Sequence, residues 1–120
     1  MPTLKTHSVC NHLYHTSQPS VMGAGFLGIM TEAQIERKIC EHAKLRGCIA
    51  YKFTSPGRAG VPDRVILLPD RSVIFIEVKT PTGIVSPLQK NEHRLIQACG
   101  HMVYVVDSVE EGKRIIDEHL

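Results

Sequence analysis

Apolar and polar positions follow a helical period in the first folded segment of the chain. Ile35, Ile39 and Ala43 recur at every fourth position, which places them on one face of a helix. The preceding run Thr31-Glu32-Ala33-Gln34 fits a capping box, because the Thr31 hydroxyl can accept from a free N–H while Gln34 reaches back. Gly47 is a typical helix stop. The pattern therefore predicts a helix over about residues 32–46.

Two further helices are predicted from their start signals. Ser86-Pro87-Leu88-Gln89 opens the second helix, because serine caps it and proline is tolerated at its first position. Gly100 would end this helix, and its predicted buried stripe consists of Leu88, Leu95, Ile96 and Cys99. Ser108-Val109-Glu110-Glu111 fits a capping box for a last helix near residues 109–119.

Short apolar runs between these helices predict four strands, at residues 49–53, 65–68, 73–79 and 102–106. Pro69-Asp70-Arg71 is typical of a tight turn, so the second and third strands should form an antiparallel hairpin. The order α-β-β-β-α-β-α indicates an α/β fold in which helices flank a mixed central sheet.

Composition restricts the class of protein without naming a function. A chain of 120 residues suits one domain with a modest core, and its net charge of +2 means that any basic surface must be local. The four cysteines form no CxxC pair, which argues against a structural zinc site. No signal peptide or membrane-length apolar run is recognisable, so we expect a reduced, cytoplasmic protein associated with nucleoid or viral DNA.

Residues 1–30 differ from the rest, since no helical or strand period persists in them. We expect a flexible N-terminal extension or a cloning-derived segment there, and a single folded domain at residues 31–120. Cys10, His12 and His15 could instead bind a soft metal, although scattered histidines in a flexible tail are the favoured interpretation.

Two ionisable residues interrupt the most apolar predicted strand, Val73–Lys79. Side chains alternate along a strand, so Glu77 and Lys79 point to the same face. Burying either charge is costly unless it has a partner. In the predicted hairpin Val65–Leu68 pairs with Ser72–Phe75, which brings Asp63 near Glu77 at the end away from the turn.

Asp63 and Glu77 would repel each other unless a cation lay between them. A hard divalent cation with oxygen ligands, Mg²⁺ or Mn²⁺, meets this need and could activate water against a phosphate. Lys79 could orient that water or help to deprotonate it. The loop Gly57-Arg58-Ala59-Gly60 directly before Asp63 suits phosphate contact, because its glycines allow close backbone approach, and Lys52 is a further candidate DNA contact.

The spacing of these residues resembles a known nuclease signature. Pro62-Asp63, a gap and then Glu77-Val78-Lys79 is similar to the pattern of the PD-(D/E)xK superfamily. With Gly60-Val61 before it and Ser86-Pro87-Leu88-Gln89 after it, the pattern resembles the VRR-NUC branch, the virus-type replication and repair nucleases, in stand-alone phage or bacterial form. The resemblance covers about residues 31–110.

The resemblance implies a restriction-endonuclease-like core and a deoxyribonuclease that requires Mg²⁺ or Mn²⁺. It implies that Asp63 and Glu77 ligate the metal together with the backbone carbonyl of Val78, and that a glutamate of the first helix joins them. Glu36 is favoured, because its placement is similar to that of the helix glutamate in archaeal Holliday-junction resolvases. Glu32, one helical turn earlier, is the alternative.

Gln89 admits two compatible interpretations. It occupies the third helical position after Ser86, so a capping role explains it fully. The resemblance also implies that it lies near the active site and serves catalysis.

The sequence leaves three functions open. The resemblance favours an endonuclease that acts as a homodimer on Holliday junctions or other branched DNA, since small members are similar to junction resolvases. A nuclease with flap or general duplex specificity is the second. A non-catalytic, nuclease-like DNA-binding module is the third, and the complete set of Asp63, Glu77 and Lys79 argues against it.

Overall fold

The computed structural model describes residues 29–120, and the hypothesis of a metal site at Cys10, His12 and His15 lies outside them. Within this part, the elements follow the predicted order and are bounded as follows: helix α1 Glu32–Leu45, strands β1 Ile49–Lys52, β2 Arg64–Leu67 and β3 Val73–Val78, helix α2 Pro87–Ala98, strand β4 Met102–Val106 and helix α3 Val109–Glu118. In these residues, no helix is long and apolar enough to cross a membrane.

The sheet is mixed, as the sequence predicted. Its strand order in the described chain is β1-β2-β3-β4, with antiparallel pairing from β1 to β3 and a parallel pair between β3 and β4. In the hairpin, Arg64 pairs with Ile76 and Leu67 with Val73, which is the predicted register. Because β3 and β4 are parallel, α2 forms the crossover between them and starts close to the end of β3.

The apolar core joins α1 and α3 to the sheet. The predicted α1 stripe is buried, and it packs with Ile115 and Ile116 of α3 and with the apolar side chains of β2, β3 and β4. Both caps predicted for α1 and α2 are complete capping boxes, in which Thr31 pairs with Gln34 and Ser86 with Gln89. Local signals and burial therefore agree for α1, the helix that anchors the sheet.

The predicted buried stripe of α2 is wrong. Leu88 is 63% exposed and Leu95 37%, and Cys99 is exposed as well. The residues that α2 buries are Glu92 and His93. The physical reason is that α2 turns a polar face inward, toward Glu77 near the carboxyl end of β3, where buried charge requires polar partners.

We predict that Gly112→Ala destabilises the protein through overpacking against α1. A Cβ at this position would lie 2.3 Å from the Cδ1 atom of Ile39, whose side chain is confined in the core. The free energy of unfolding in urea should fall by about 1–3 kcal/mol. Ile39→Val removes the nearest atom, so the double variant should lose less than the sum of the single losses, whereas simple additivity would contradict the contact.

Candidate active site

Asp63 and Glu77 meet at the end of the hairpin away from its turn. Arg64 pairs with Ile76, so Asp63, one residue earlier, falls opposite Glu77. The Oδ2 atom of Asp63 accepts a hydrogen bond from the backbone N–H of Val78 at 2.8 Å. The predicted register thus brings the two carboxylates together, and the Asp63 side chain is held against the end of β3.

The two carboxylates are in electrostatic conflict. Glu77 is only 2% exposed, and burial together with the charge of Asp63 raises its pKa to about 7, although Lys79 opposes this shift. Burial also raises the pKa of Asp63, against the lowering effect of the Val78 hydrogen bond. Removal of two carboxylates from water disfavours their charged forms. The site therefore favours either bound protons or a bound cation.

One oxygen of Glu77 is well satisfied and the other is not. Lys79 Nζ lies 3.3 Å from Oε2, and the Gln89 side-chain amide donates to the same oxygen at 2.9 Å. The Oε1 atom is buried and has no hydrogen-bond partner within residues 29–120; the Nε2 atom of His93 lies 4.0 Å away. A buried oxygen of this kind requires an explanation, because such atoms are nearly always hydrogen-bonded.

Gln89 makes the predicted capping contact and also lies at the candidate site, whereas its part in catalysis stays a prediction. Its Oε1 atom accepts from the backbone N–H of Ser86 at 2.9 Å, which completes the capping box. Its Nε2 atom donates to Glu77. The start of α2 and the buried carboxylate are therefore joined through a single amide group.

His93 and Glu92 are site-facing residues that sequence reasoning missed. His93 is completely buried, and burial followed by the charge of Lys79 lowers its pKa to about 4. It follows Gln89 by four positions, so both lie on one face of α2. The spacing of four residues between Gln89 and His93 is the sequence signal for this polar face, and the predicted apolar stripe of α2 lies on other residues.

Glu36 lies in a different set of contacts from the one expected. Its carboxylate is bound by Lys52 at 3.0 Å and by Arg64. Burial acts to raise its pKa, but the hydrogen bonds from Arg64 and Lys52 and their charges together lower it. Glu36 thereby ties α1 to β1 and β2.

Glu32 is exposed in the first turn of α1, and its charge raises the pKa of both Asp63 and Glu77. In the described chain, no three His, Cys, Asp or Glu side chains converge closely enough to hold a metal ion. Neither Glu32 nor Glu36 therefore completes a three-carboxylate cluster, and the choice between them stays a prediction.

The glycine-containing loop lies directly on the start of α2. Gly60 has a φ of +88°, and a Cβ there would lie 2.6 Å from the carbonyl oxygen of Leu88. Arg58 donates from Nε to Glu92 Oε2 at 2.9 Å. Gly57 is exposed, with open space around its Cα. The contacts with DNA expected of this loop and of Lys52 stay predictions.

We expect Gly60→Ala to be far more disruptive than Gly57→Ala. The first change places a side chain in a left-handed conformation and against backbone atoms of α2, whereas the second meets no atom within 4 Å. Gly60→Ala should reduce the free energy of unfolding by about 2 kcal/mol or more, and Gly57→Ala by less than about 0.5 kcal/mol. Equal effects in denaturant unfolding would show that the loop does not lie on α2 in solution.

The raised pKa of Glu77 predicts that the free energy of unfolding of the metal-free protein depends on pH. Its pKa of about 7 in the folded protein exceeds the ordinary value of 4.5, so the folded chain keeps a proton that the unfolded chain releases. The free energy of unfolding should therefore decrease as pH rises through this interval, by up to about 3 kcal/mol.

Urea unfolding in a metal chelator, with wild type beside Glu77→Gln, isolates this contribution, because other groups titrate in both proteins. The free energy of unfolding of wild type, relative to that of Glu77→Gln, should be highest below pH 4.5 and should decline toward pH 7. A difference that is flat across this interval would contradict the raised pKa.

Comparison with known proteins agrees with this architecture. The family model of the VRR-NUC domain matches residues 15–110, a stretch that begins before the boundary predicted at residue 31. A solved structure described as a VRR_NUC domain superposes with a TM-score of 0.69 at 28% identity, covering 76% of this chain and 100% of that one.

A curated relative gives the same result. The protein named "Putative nuclease p44" from Acyrthosiphon pisum secondary endosymbiont phage 1 is 45% identical over 80 residues, covering 67% of this chain and 86% of the relative. The expected fold class and resemblance are both confirmed by these matches. The chain belongs to the VRR-NUC domain family and is a nuclease.

Proposed function

We propose that the chain is a Mg²⁺- or Mn²⁺-dependent DNA endonuclease that hydrolyses phosphodiester bonds in branched DNA, with Holliday junctions as the preferred substrate. The observation that carries the metal dependence is the buried Glu77 carboxylate. Its Oε1 atom has no hydrogen-bond partner in the described chain, and Asp63 repels it across the hairpin. A hard divalent cation would neutralise both carboxylates at once.

The donor set fits such a cation. Asp63 and Glu77 supply carboxylate oxygens, and Val78 would add its backbone carbonyl, which together form the all-oxygen environment that Mg²⁺ and Mn²⁺ prefer. A glutamate of α1 would complete the set. Glu36 would first have to release Lys52 and Arg64, whereas Glu32 makes no ion pair within residues 29–120. This difference supports Glu32, the alternative, more than Glu36.

The surrounding side chains have separate tasks in hydrolysis. When bound, the cation supplies Lewis-acid polarisation of the scissile phosphate and lowers the pKa of a water molecule. Lys79, largely buried beside Glu77, would orient the attacking water, help to deprotonate it and offset negative charge that develops on the phosphate. Gln89 holds the Oε2 atom of Glu77 and so keeps the carboxylate in one orientation.

Specificity for branched DNA and a homodimeric state are supported by the size of the folded unit. Residues 29–120 form one small α/β unit, and a unit of this size would read the shape of DNA. A two-fold dimer would present two active sites and cut two strands symmetrically. The match over 86% of the phage relative indicates that the relative has a similarly small folded unit.

We predict that substitutions in the site separate metal binding from cleavage. Asp63→Asn and Glu77→Gln should abolish Mn²⁺ binding in calorimetric titration, because each removes a carboxylate ligand. Lys79→Met should retain Mn²⁺ binding and lose about 10²–10⁴-fold in the cleavage rate, as expected for a group that activates the attacking water. Retention of Mn²⁺ binding by Asp63→Asn would contradict the proposed ligand set.

Substrate preference is tested with a panel of four-way junction, flap, single-stranded and linear duplex DNA, with Mg²⁺ or Mn²⁺. Wild type should cleave the junction fastest, and Asp63→Ala should leave all substrates intact. Cleavage of linear duplex at the same rate as the junction would contradict selectivity for branched DNA and indicate general duplex specificity. DNA binding without Mn²⁺ binding would instead indicate a non-catalytic module.

A further inference from the structure

Glu92 is a buried carboxylate that the proposed chemistry does not use. Within the described chain, the buried polar or charged side chains are Glu77, Glu92 and His93. Glu92 points away from solvent on the inner face of α2, yet its partner, Arg58, comes from the exposed loop. A buried carboxylate generally needs a paired cation, and here that cation is a residue of the loop before Asp63.

The geometry of this ion pair leaves most of the guanidinium free. Arg58 uses its Nε atom, which lies 2.9 Å from Glu92 Oε2. Its two terminal NH₂ groups make no hydrogen bond within residues 29–120, and the side chain is 57% exposed. A guanidinium carries five N–H donors in a fixed plane, so anchoring at Nε leaves a fork suited to two phosphate oxygens.

The pair also lies close to the site. Gly60, two residues after Arg58, packs against the backbone of Leu88 and Gln89. Glu92 follows Gln89 by one helical turn, and Gln89 donates to Glu77. The anchored guanidinium is therefore held on the same helix face that positions the catalytic carboxylate.

We propose that Glu92 is a positioning residue that holds Arg58 by Nε, so that the terminal nitrogens of Arg58 clamp a phosphate of the DNA strand beside the scissile one. This inference rests on DNA as the substrate. An anchored arginine loses less freedom on binding than a mobile one, so preorganisation makes the phosphate contact more favourable. Glu92 contributes to affinity through Arg58 and has no contact with DNA of its own.

The test measures binding of a fluorescent four-way junction in a chelator, so that no cleavage occurs. Arg58→Gln should weaken binding about tenfold and reduce the salt dependence by about one phosphate contact. Glu92→Ala should give a similar loss, and the double variant should bind no worse than Arg58→Gln alone, because both changes remove one contact. Glu92→Gln keeps an oxygen that accepts from Nε, so it should recover part of the affinity.

Matched controls separate this role from others. Arg94→Gln removes a charge from the exposed side of the same helix, and it should change binding less than twofold. Mn²⁺ affinity should be unchanged in Arg58→Gln and Glu92→Gln, which excludes a loss of the metal site. Arg58→Gln should unfold at a lower temperature, because buried Glu92 loses its cation, so circular dichroism at the assay temperature is used to show that both variants remain folded.

Several outcomes would overturn the inference. If the fold-losses in DNA affinity of the two single variants multiply in the double variant, Glu92 acts independently of Arg58. If Glu92→Ala binds DNA more tightly than wild type, Glu92 competes with phosphate for Arg58. An equal loss in Arg94→Gln would show a general charge effect. If wild type binds no DNA, the proposed substrate fails as well, whereas binding with multiplied losses overturns the positioning role alone.

Discussion

The repulsion between Asp63 and Glu77 is the constraint on which the arrangement of the neighbouring groups depends. Burial raises the pKa of both carboxylates, the charge of Asp63 raises that of Glu77 further, and the fold places the two together through the hairpin register. The chain offsets part of this cost with the ammonium of Lys79 and the amide of Gln89, both directed at one oxygen of Glu77. The other oxygen is buried and has no hydrogen-bond partner among residues 29–120.

The same constraint accounts for the unusual face of α2. An apolar helix face against Glu77 would leave a buried charge without partners, which is far less favourable than exposing a few leucines. The helix therefore turns Gln89, Glu92 and His93 inward, and Leu88 lies in solvent. Since Glu92 is buried as a result, it in turn binds Arg58 and draws the loop before Asp63 onto the helix. The contacts that stabilise the inner face of α2 therefore also fix the positions of the side chains around Glu77.

The opposite face of the sheet is organised by ordinary packing. There α1 and α3 bury their isoleucines on β2 and β3, and no catalytic group interrupts the cluster. The ion pairs of Glu36 with Lys52 and Arg64 add a polar connection between α1 and the edge of the sheet. One side of the sheet is therefore apolar and the other carries buried charge at its end, so that apolar burial on the first side offsets the cost of burying Glu77 on the second.

Sequence patterns predicted those features of the fold that depend on residues close together in the chain. The α1 stripe, the capping boxes of α1 and α2, the order of elements along the chain and the hairpin register were predicted from spacing, because caps and turns act within a few residues. The pairing of Asp63 with Glu77 followed from that register, and the common face of Glu77 and Lys79 followed from side-chain alternation along the strand.

Other features depended on which elements meet in space. Helical periodicity predicted an apolar stripe for α2, because the spacing rule assumes that a helix packs on an apolar surface. The rule takes no account of a buried glutamate such as Glu77 on the strand that the helix faces. The family resemblance favoured Glu36 as a metal ligand and could not show that Lys52 of β1 and Arg64 of β2 bind its carboxylate. The sequence by itself determined the family signature and the position of the two carboxylates. Only the tertiary structure decided their partners, because burial and long-range charge contacts arise when distant segments of the chain come together.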